Sequence, residues 1–302
     1  MHPDSRIYIA GHRGLVGSAI HRELLRQGYR NVLTRTRQQL DLLDKPSVDA
    51  FFTAEKPDFV FLAAARVGGI LANSTYPADF IRDNLVLQTN VIEASRNAGV
   101  KRLLFLGSSC IYPRLCPQPI KEEYLLTGPL EPTNRPYAVA KIAGIELCWS
   151  YNRQYGTRYL AVMPTNLYGP GDNYDLANSH VLPALIRKTA EANAAGAKQV
   201  VVWGTGTPRR EFLYSDDLGQ ACCFFMDLDD ARFSSLLSED VPPLINIGTG
   251  KDVSLLHSLG WRHTTSLEEA SITLGRPYGS DYSLHHRYSR CDGWSCHRFA
   301  RG

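Results

Sequence analysis

Apolar runs alternate with segments of helical periodicity along the first half of the chain. The runs RIYIAG, NVLTRT, PDFVFLAAA, VKRLLFLG and RYLAVMPTN predict five strands. Apolar positions at helical spacing predict helices at residues 15–28, 46–56, 79–98 and 137–155. Such regular alternation favours an α/β fold with a Rossmann-type, doubly wound parallel sheet that carries helices on both faces.

Composition narrows the class of protein. Of the 302 residues, 44% are hydrophobic and 21% are charged, which is ordinary for a globular enzyme. The net charge of +3 does not indicate nucleic acid or a membrane surface as a partner, and no apolar run is long enough to predict a membrane span. Seven irregularly spaced cysteines and the lack of a signal-peptide pattern lead us to expect free thiols and a cytoplasmic location.

The segment GHRGLVG lies between the first predicted strand and the first predicted helix. Gly11, Gly14 and Gly17 would let the backbone turn tightly and approach a pyrophosphate, which amide groups at the helix N-terminus would bind. The spacing differs from the usual G-x-G-x-x-G, and the triplet alone could be a structural turn. Its place in the strand–helix alternation favours a dinucleotide site.

Basic residues near the end of the second strand indicate which dinucleotide binds. NAD sites usually carry Asp or Glu there, to hold the ribose 2′-hydroxyl. Here the strand ends in TRTRQQ, with Arg35 and Arg37, and Arg13 lies inside the glycine segment. A guanidinium fork suits a 2′-phosphate, so we expect NADP(H). Asp41 could meet the adenine edge, and the alternative is that the arginines are only solvated surface charges.

The segment YAVAK places Tyr137 and Lys141 on one helix face, because residues i and i+4 are neighbours. The ammonium group should lower the pKa of the tyrosine. Ser108, after the fourth strand, completes a Ser/Tyr/Lys set. The serine can bond a carbonyl oxygen, the tyrosine can protonate it, and the lysine can hold the nicotinamide ribose. Ser109 is an alternative serine, and a surface Tyr–Lys pair is the alternative interpretation.

Longer segments carry a resemblance to a known family. From Arg6 to Ser254 the chain resembles the GDP-L-fucose synthase family of the extended short-chain dehydrogenase/reductase superfamily, in segments such as IAGHRGLVGSAI, FLGSSCIYP, EPTNRPYAVAKIAGIELC, MPTNLYGPGDN and VVVWGTGTPRREFLYSDDL. The resemblance implies a homodimeric enzyme that epimerises C3 and C5 of GDP-4-keto-6-deoxy-D-mannose. The enzyme would then reduce C4 with NADPH, and the product would be GDP-L-fucose.

The resemblance also implies roles for individual residues. Cys110 in GSSCIYP matches the base that removes a proton beside the C4 ketone, and His180 in NSHVLP matches the acid that returns one. A thiol of near-neutral pKa and an imidazole would suit this transfer. Without the family, Cys110 could be a small buried apolar residue and His180 a structural one. Lys188, Trp203 and Arg210 match substrate contacts, with a core aromatic as the alternative for the tryptophan.

The set of cofactor-binding residues combines the motifs above with the segment that the resemblance places along the nicotinamide. It comprises Gly11, Arg13, Gly14, Leu15, Val16, Gly17, Arg37, Asp41, Leu106, Lys141, Pro164, Thr165, Asn166, Leu167 and His180.

The resemblance breaks after Ser254. There LLHSLGW follows at once where the family has further residues, so we expect a deletion that removes an aspartate near the substrate nucleotide. Beyond Ala270 the chain matches nothing in the family and looks like an altered reading frame or a foreign tail. Its potential ligands lack a recognised zinc spacing, so no metal site is expected; they are His285, His286, Cys291, Cys296 and His297.

We therefore expect three parts. Residues 1–168 would form an NADP-binding Rossmann domain, residues 169–254 mainly a smaller substrate domain from which about 211–230 return to the first, and residues 255–302 a remnant with an atypical tail. The substrate would lie in the cleft between the domains. Two alternatives stay open: another nucleotide-sugar epimerase or dehydratase of the superfamily, and a non-catalytic NADP-binding variant suggested by the deletion.

Overall fold

The computed structural model describes residues 1–176, 179–197, 199 and 211–250. Up to Pro164 helices join successive strands, as the sequence predicts, and the short helix Ile70–Thr75 adds to the four helices predicted there. The strands are β1 (Arg6–Ala10), β2 (Asn31–Thr34), β3 (Phe59–Leu62), β4 (Arg102–Leu106) and β5 (Tyr159–Pro164). The helices are α1 (Leu15–Arg26), α2 (Lys45–Glu55), α3 (Ile70–Thr75), α4 (Pro77–Asn97) and α5 (Arg135–Tyr155).

The rest of the described chain adds short strands and helices. They are β6 (Asn166–Tyr168), α6 (Val181–Ala194), β7 (Phe212–Tyr214), α7 (Ser215–Asp227), α8 (Asp230–Ser234) and β8 (Leu244–Ile247). Two single 3-10 turns, Ser109–Ile111 and Glu122–Tyr124, follow β4.

The main sheet is parallel throughout, and its strand order over the described residues is β2-β1-β3-β4-β5-β8. The chain leaves β1 toward β2 on one side and returns to β3 on the other. The carboxyl ends of β1 and β3 therefore form the switch point at which such sheets bind ligands. β6 and β7 pair in a separate two-stranded parallel sheet.

Both faces of the main sheet are buried, which confirms the doubly wound arrangement. Ile7 and Ile9 of β1 face a core formed with α1 and α7, whereas Tyr8 and Ala10 face a core formed with α2, α4 and α5. This is the alternation that a strand requires when helices cover both sides of it. Cys222 and Cys223 of α7 are buried in the first core, as free thiols.

One predicted strand is divided in the structure. The sequence predicts a continuous strand at residues 158–166, but the chain leaves the main sheet at Thr165. The amide of Thr165 still donates to Ile247 of β8 at 3.1 Å, whereas the amide of Asn166 donates to the carbonyl of Glu211 at 3.2 Å. The backbone partner thus changes within one residue, and the segment expected beside the nicotinamide forms this junction.

Among the described helices, none combines the length and the apolar character that a membrane span needs.

Candidate active site

The glycine segment adopts the tight turn that its motif predicts. Gly11 has φ +87°, and a Cβ placed there would lie 2.7 Å from the amide nitrogen of Ala64, which follows β3. A Cβ on Gly17 would overlap the carbonyl oxygen of Gly11, whereas one on Gly14 would sit at 3.5 Å from that oxygen, an ordinary contact. Gly11 and Gly17 are therefore required by close approach at the switch point, and Gly14 is not.

The N-terminus of α1 is open to an anion. Its N-cap is Gly14, which offers no capping side chain, and its first turn has no acidic residue. Free amide groups at a helix start favour a phosphate. Leu15 and Val16 form this first turn and are half-buried.

The structure separates the two arginines after β2. Arg35 donates to the Thr34 carbonyl at 2.8 Å and to Glu55 at 2.6 Å, so it is bound within the fold. The Arg37 side chain is 77% exposed and forms a 3.5 Å ion pair with Asp41. Arg13 is exposed as well. Arg13 and Arg37 are therefore the arginines that a 2′-phosphate could recruit.

Lys141 and Tyr137 are brought to the end of β4 by α5. Lys141 is 3% exposed, and its Nζ donates to the Leu106 carbonyl at 2.7 Å. Nζ lies 4.7 Å from the Phe105 ring centroid and 5.8 Å from that of Tyr137. Tyr137 and Lys141 thus lie at the end of β4, two residues before Ser108, and the burial of Lys141 does not fit a surface Tyr–Lys pair.

The expected effect on the tyrosine is wrong in direction. Burial lowers the pKa of Lys141 to about 8. Burial also raises the pKa of Tyr137 well above its ordinary value, and the neighbouring Cys110 raises it further. Desolvation penalises the charged form of each group and is the larger cause of both shifts. The neutral phenol that results is a proton donor.

Cys110 lies within the 3-10 turn Ser109–Ile111 and is half-buried. Burial raises the pKa of its thiol, although a hydrogen bond with Ser108 and the charge of Lys141 act in the opposite sense. The near-neutral pKa expected from the sequence is therefore corrected upward. Ser108 contacts the thiol directly, whereas Ser109 opens the turn and its carbonyl accepts from the amide of Tyr112.

His180 is exposed and is the N-cap of α6. Burial raises the pKa of Asp172, and the nearby His180 offsets part of that rise. Asp172 accepts from the amide of Asn173 at 2.7 Å through Oδ1, while its buried Oδ2 has no partner among the described residues. Over the same residues, no hydrogen bond or ion pair joins His180 to Cys110 or Tyr137, so the structure does not bring the expected acid and base into contact.

The remaining predicted residues fall into two groups. Lys188 lies half-buried in α6, and Pro164 to Leu167 span the junction of β5 and β6. The Thr165 hydroxyl is buried without a partner among the described residues. Trp203, Arg210 and residues 251–302, with the tail cysteines and histidines, lie outside the described residues. No cluster of three metal-ligating side chains occurs in the part that the structure describes.

Sequence reasoning missed Glu211, which joins two strand ends. Its carboxylate accepts from the amides of Thr249 and Gly250, the latter at 2.7 Å, just after β8. Its carbonyl accepts from the amide and the side-chain nitrogen of Asn166. The GTG sequence after β8 and the acid in RREF were the available signals.

A parallel sheet with this switch point and this Ser/Tyr/Lys placement defines the extended short-chain dehydrogenase/reductase class. Residues 7–248 match the model of the NAD dependent epimerase/dehydratase family, and the chain belongs to that family.

Two curated sequences and one solved structure illustrate which proteins the chain is similar to. It is 50% identical to the GDP-L-fucose synthase of Escherichia coli K12 over 87% of this chain and 93% of the relative. It is 56% identical to GDP-L-fucose synthase 1 of Arabidopsis thaliana over 83% of this chain and 75% of the relative. Its structure resembles MlghC, a GDP-mannoheptose C4 reductase from Campylobacter jejuni with NADP bound, with TM-score 0.80 and 37% identity over 90% of this chain and 97% of that one.

Proposed function

We propose that the chain converts GDP-4-keto-6-deoxy-D-mannose to GDP-L-fucose, by epimerisation at C3 and C5 and NADPH-dependent reduction at C4. The observation that carries this proposal is the thiol of Cys110 on the turn that also holds Ser108, within the electrostatic reach of Lys141 and Tyr137. A Ser/Tyr/Lys set alone serves reduction. The added thiol supplies a base for a proton next to the same carbonyl. The 50% identity to a GDP-L-fucose synthase supports the substrate.

Epimerisation uses the acidity of C–H bonds beside a ketone. The Cys110 thiolate removes a proton from C3 or C5 and becomes the thiol, and the electron pair forms an enolate at the C4 oxygen. Donors from Ser108 and Tyr137 stabilise that oxyanion. His180 then donates a proton to the opposite face of the carbon. Burial raises the pKa of the Cys110 thiol, and the hydrogen bond from Ser108 and the charge of Lys141 offset part of that rise in favour of the thiolate.

Reduction uses the same oxygen. NADPH, when bound, supplies the hydride that reduces C4. Tyr137, kept protonated by burial, gives its proton to the developing alkoxide. Lys141 holds its ammonium beside the end of β4 through Leu106, where it can bond the nicotinamide ribose.

The described residues fit NADP(H) at three points. Gly11 and Gly17 pack against backbone atoms of Ala64 and Gly11, which keeps the turn before α1 tight enough for a pyrophosphate to approach the helix N-terminus. The uncapped start of α1 offers amide groups, and Arg13 with Arg37 offers exposed guanidinium groups for a 2′-phosphate. Asp41, Leu106 and the segment from Pro164 to Leu167 complete the set that we assign to the cofactor.

The substrate would bind between a Rossmann domain, residues 1–168, and a smaller domain formed mainly by residues 169–254. Lys188, Trp203 and Arg210 are assigned to the GDP group, with Arg210 on the diphosphate. His180, at the start of α6, would enter this cleft from the second domain.

We infer a homodimer in the cytoplasm. An exposed groove between α4 and α5 is largely apolar and fits a second copy of the chain; it is lined by Pro77, Ala78, Ile81, Arg135, Pro136 and Val139. The five described cysteines are all free, as in a reducing compartment. Light scattering of the purified chain tests the dimer.

The activity is tested directly with the purified chain. GDP-4-keto-6-deoxy-D-mannose and NADPH are mixed, the loss of NADPH absorbance is followed, and the products are separated and identified. We expect NADPH oxidation that depends on the sugar and yields GDP-L-fucose. Oxidation that yields only the unepimerised GDP-6-deoxyhexose would replace the proposal with a simple C4 reductase, and no oxidation would refute both.

A further inference from the structure

The backbone hydrogen bonds within the turn that carries Cys110 are few and long. It is closed by amide-to-carbonyl bonds from Ile111 to Ser108 at 3.2 Å and from Tyr112 to Ser109 at 3.3 Å. Single 3-10 turns with such long bonds are weak. On its N-terminal side the turn continues β4, so its position there is set by the sheet. On its C-terminal side two consecutive side chains anchor the turn: Ile111, which is fully buried in the core that α2, α4 and α5 form, and Tyr112, which is 4% exposed and carries a hydrogen-bonding group.

The phenol of Tyr112 reaches across the sheet to β8. It donates to Oδ1 of Asn246 at 2.6 Å, a bond between residues 134 positions apart. Because the strand order is β4-β5-β8, this bond spans β5. Asn246 is the polar residue in the otherwise apolar strand LINI.

Asn246 is fixed in turn by the loop after the cysteine turn. Its main-chain amide donates to Oε1 of Glu122 at 2.9 Å, and its side-chain nitrogen donates to the Ile120 carbonyl at 3.1 Å. The Asn246 side chain therefore uses both its acceptor and its donor. Two loop positions and the phenol converge on one asparagine, which leaves that side chain one orientation.

We propose that Tyr112 is a positioning residue for the epimerisation steps, which holds the Cys110 thiol in place through its bond to Asn246. The inference rests on the proposed function. Proton removal from carbon needs the base within a fraction of an ångström of its productive place, whereas hydride transfer uses Tyr137 and Lys141, which α5 holds independently. Loss of the anchor should therefore slow epimerisation more than reduction.

The test is the product ratio of Tyr112→Phe. With substrate and NADPH, we expect the ratio of GDP-L-fucose to unepimerised GDP-6-deoxyhexose to fall about tenfold, since a small displacement of a reacting group costs up to about a hundredfold. Exchange of substrate hydrogens at C3 and C5 with D₂O, measured without NADPH, should slow equally. The ratio is independent of the fraction of folded enzyme, so a loss of stability alone cannot change it.

Tyr29→Phe is the matched control. Tyr29 is also buried, and its phenol donates to Asp227 at 2.5 Å, in the core that α1 and α7 form. This variant should lose stability as Tyr112→Phe does and keep the parental ratio. Asn246→Leu removes the acceptor and should lower the ratio, with no further fall in the double variant.

The outcomes are distinguishable. If the parent makes no GDP-L-fucose, the proposed function fails. If the parent makes it and Tyr112→Phe keeps the parental ratio, or Tyr29→Phe lowers the ratio to the same extent, the positioning role is overturned and Tyr112 serves only the stability of the fold.

Discussion

The ammonium group of Lys141 donates a 2.7 Å hydrogen bond to the main-chain oxygen of Leu106, the last residue of β4. A helix residue is thereby tied to the strand end at which the Ser108–Cys110 turn begins. In this position the ammonium group is removed from solvent, and this burial lowers the pKa of Lys141 to about 8. The site thus keeps a cation in a place where the fold alone would favour an apolar side chain.

Lys141→Met should stabilise the protein and abolish reduction. We expect the free energy of unfolding, measured by urea denaturation without ligands, to rise by about 1–3 kcal/mol at neutral pH, since a desolvated charge is removed. NADPH oxidation should fall about a hundredfold or more. Lys101→Met is the control, because Lys101 is exposed and pairs with Asp58 at 2.9 Å; it should retain activity. An unchanged or lower stability of Lys141→Met would contradict the cost assigned to burial.

The same lysine predicts a pH dependence of stability. Its folded pKa of about 8 is below the ordinary value of about 10.4, so the unfolded chain binds more protons between these values. The contribution of this group to stability therefore rises with pH across that window. Denaturation curves of the parent and of Lys141→Met, measured from neutral pH upward, should converge; a constant difference would contradict the lowered pKa.

Cys110→Ser should separate the two half-reactions. Epimerisation should be lost, because a hydroxyl is a far weaker base than a thiolate at neutral pH, while Tyr137 and Lys141 still allow reduction. The expected product is the unepimerised GDP-6-deoxyhexose. Cys116→Ser is the control: this free thiol lies in the loop after β4, and its loss should leave GDP-L-fucose formation at the parental rate. Parental product from Cys110→Ser would make Cys110 a packing residue.

The Cys110 thiol should ionise at a higher pH than an ordinary cysteine. Burial raises its pKa and Lys141 partly offsets this, so alkylation by iodoacetamide should be half-maximal above the ordinary thiol value of about 8.5. In Lys141→Met the midpoint should move higher still. Mass spectrometry of the peptide that contains Cys110 isolates this thiol from the others. A midpoint below the ordinary value would restore the expectation drawn from the sequence.

Cofactor preference should depend on Arg13 and Arg37. Replacing either by alanine should weaken NADPH binding by about 1–3 kcal/mol, the scale of a charge-assisted hydrogen bond, and leave NADH binding nearly unchanged. Fluorescence titration with both cofactors measures this. Arg30→Ala serves as the control, because Arg30 is 77% exposed and pairs with Asp4 at 3.7 Å. Equal losses for NADPH and NADH would rule out a 2′-phosphate contact.

Two glycines of one motif should respond differently. Gly17→Ala forces a Cβ onto the Gly11 carbonyl, so NADPH affinity should fall at least about tenfold and stability by about 1–3 kcal/mol. Gly14→Ala meets that oxygen at 3.5 Å and should bind NADPH nearly as the parent does. Titration and thermal unfolding of the pair provide the comparison. Equal losses would show that helix capping, and not close approach, sets the requirement.

The first five strands of the sheet, the glycine turn and the placement of Tyr137 and Lys141 on one helix face could be predicted from the amino-acid sequence, whereas the sixth strand, β8, was not predicted. The predicted features follow from local rules: apolar periodicity decides strands and helices, and the i, i+4 spacing decides that a tyrosine and a lysine share a face. The ends of parallel strands meet at one edge of a sheet, so motifs at those ends are bound to converge.

The protonation states of the site residues, and the distant partners that hold them, follow from tertiary packing and could not be predicted from the sequence. The pKa values of Tyr137 and Cys110 lie above their ordinary values, against the expectation from their basic neighbour, because desolvation depends on everything packed around a group. Arg35 is bound by Glu55, 20 positions away, and Tyr112 by Asn246, 134 positions away. Such partners are distant in the chain, and no periodicity in the sequence encodes them.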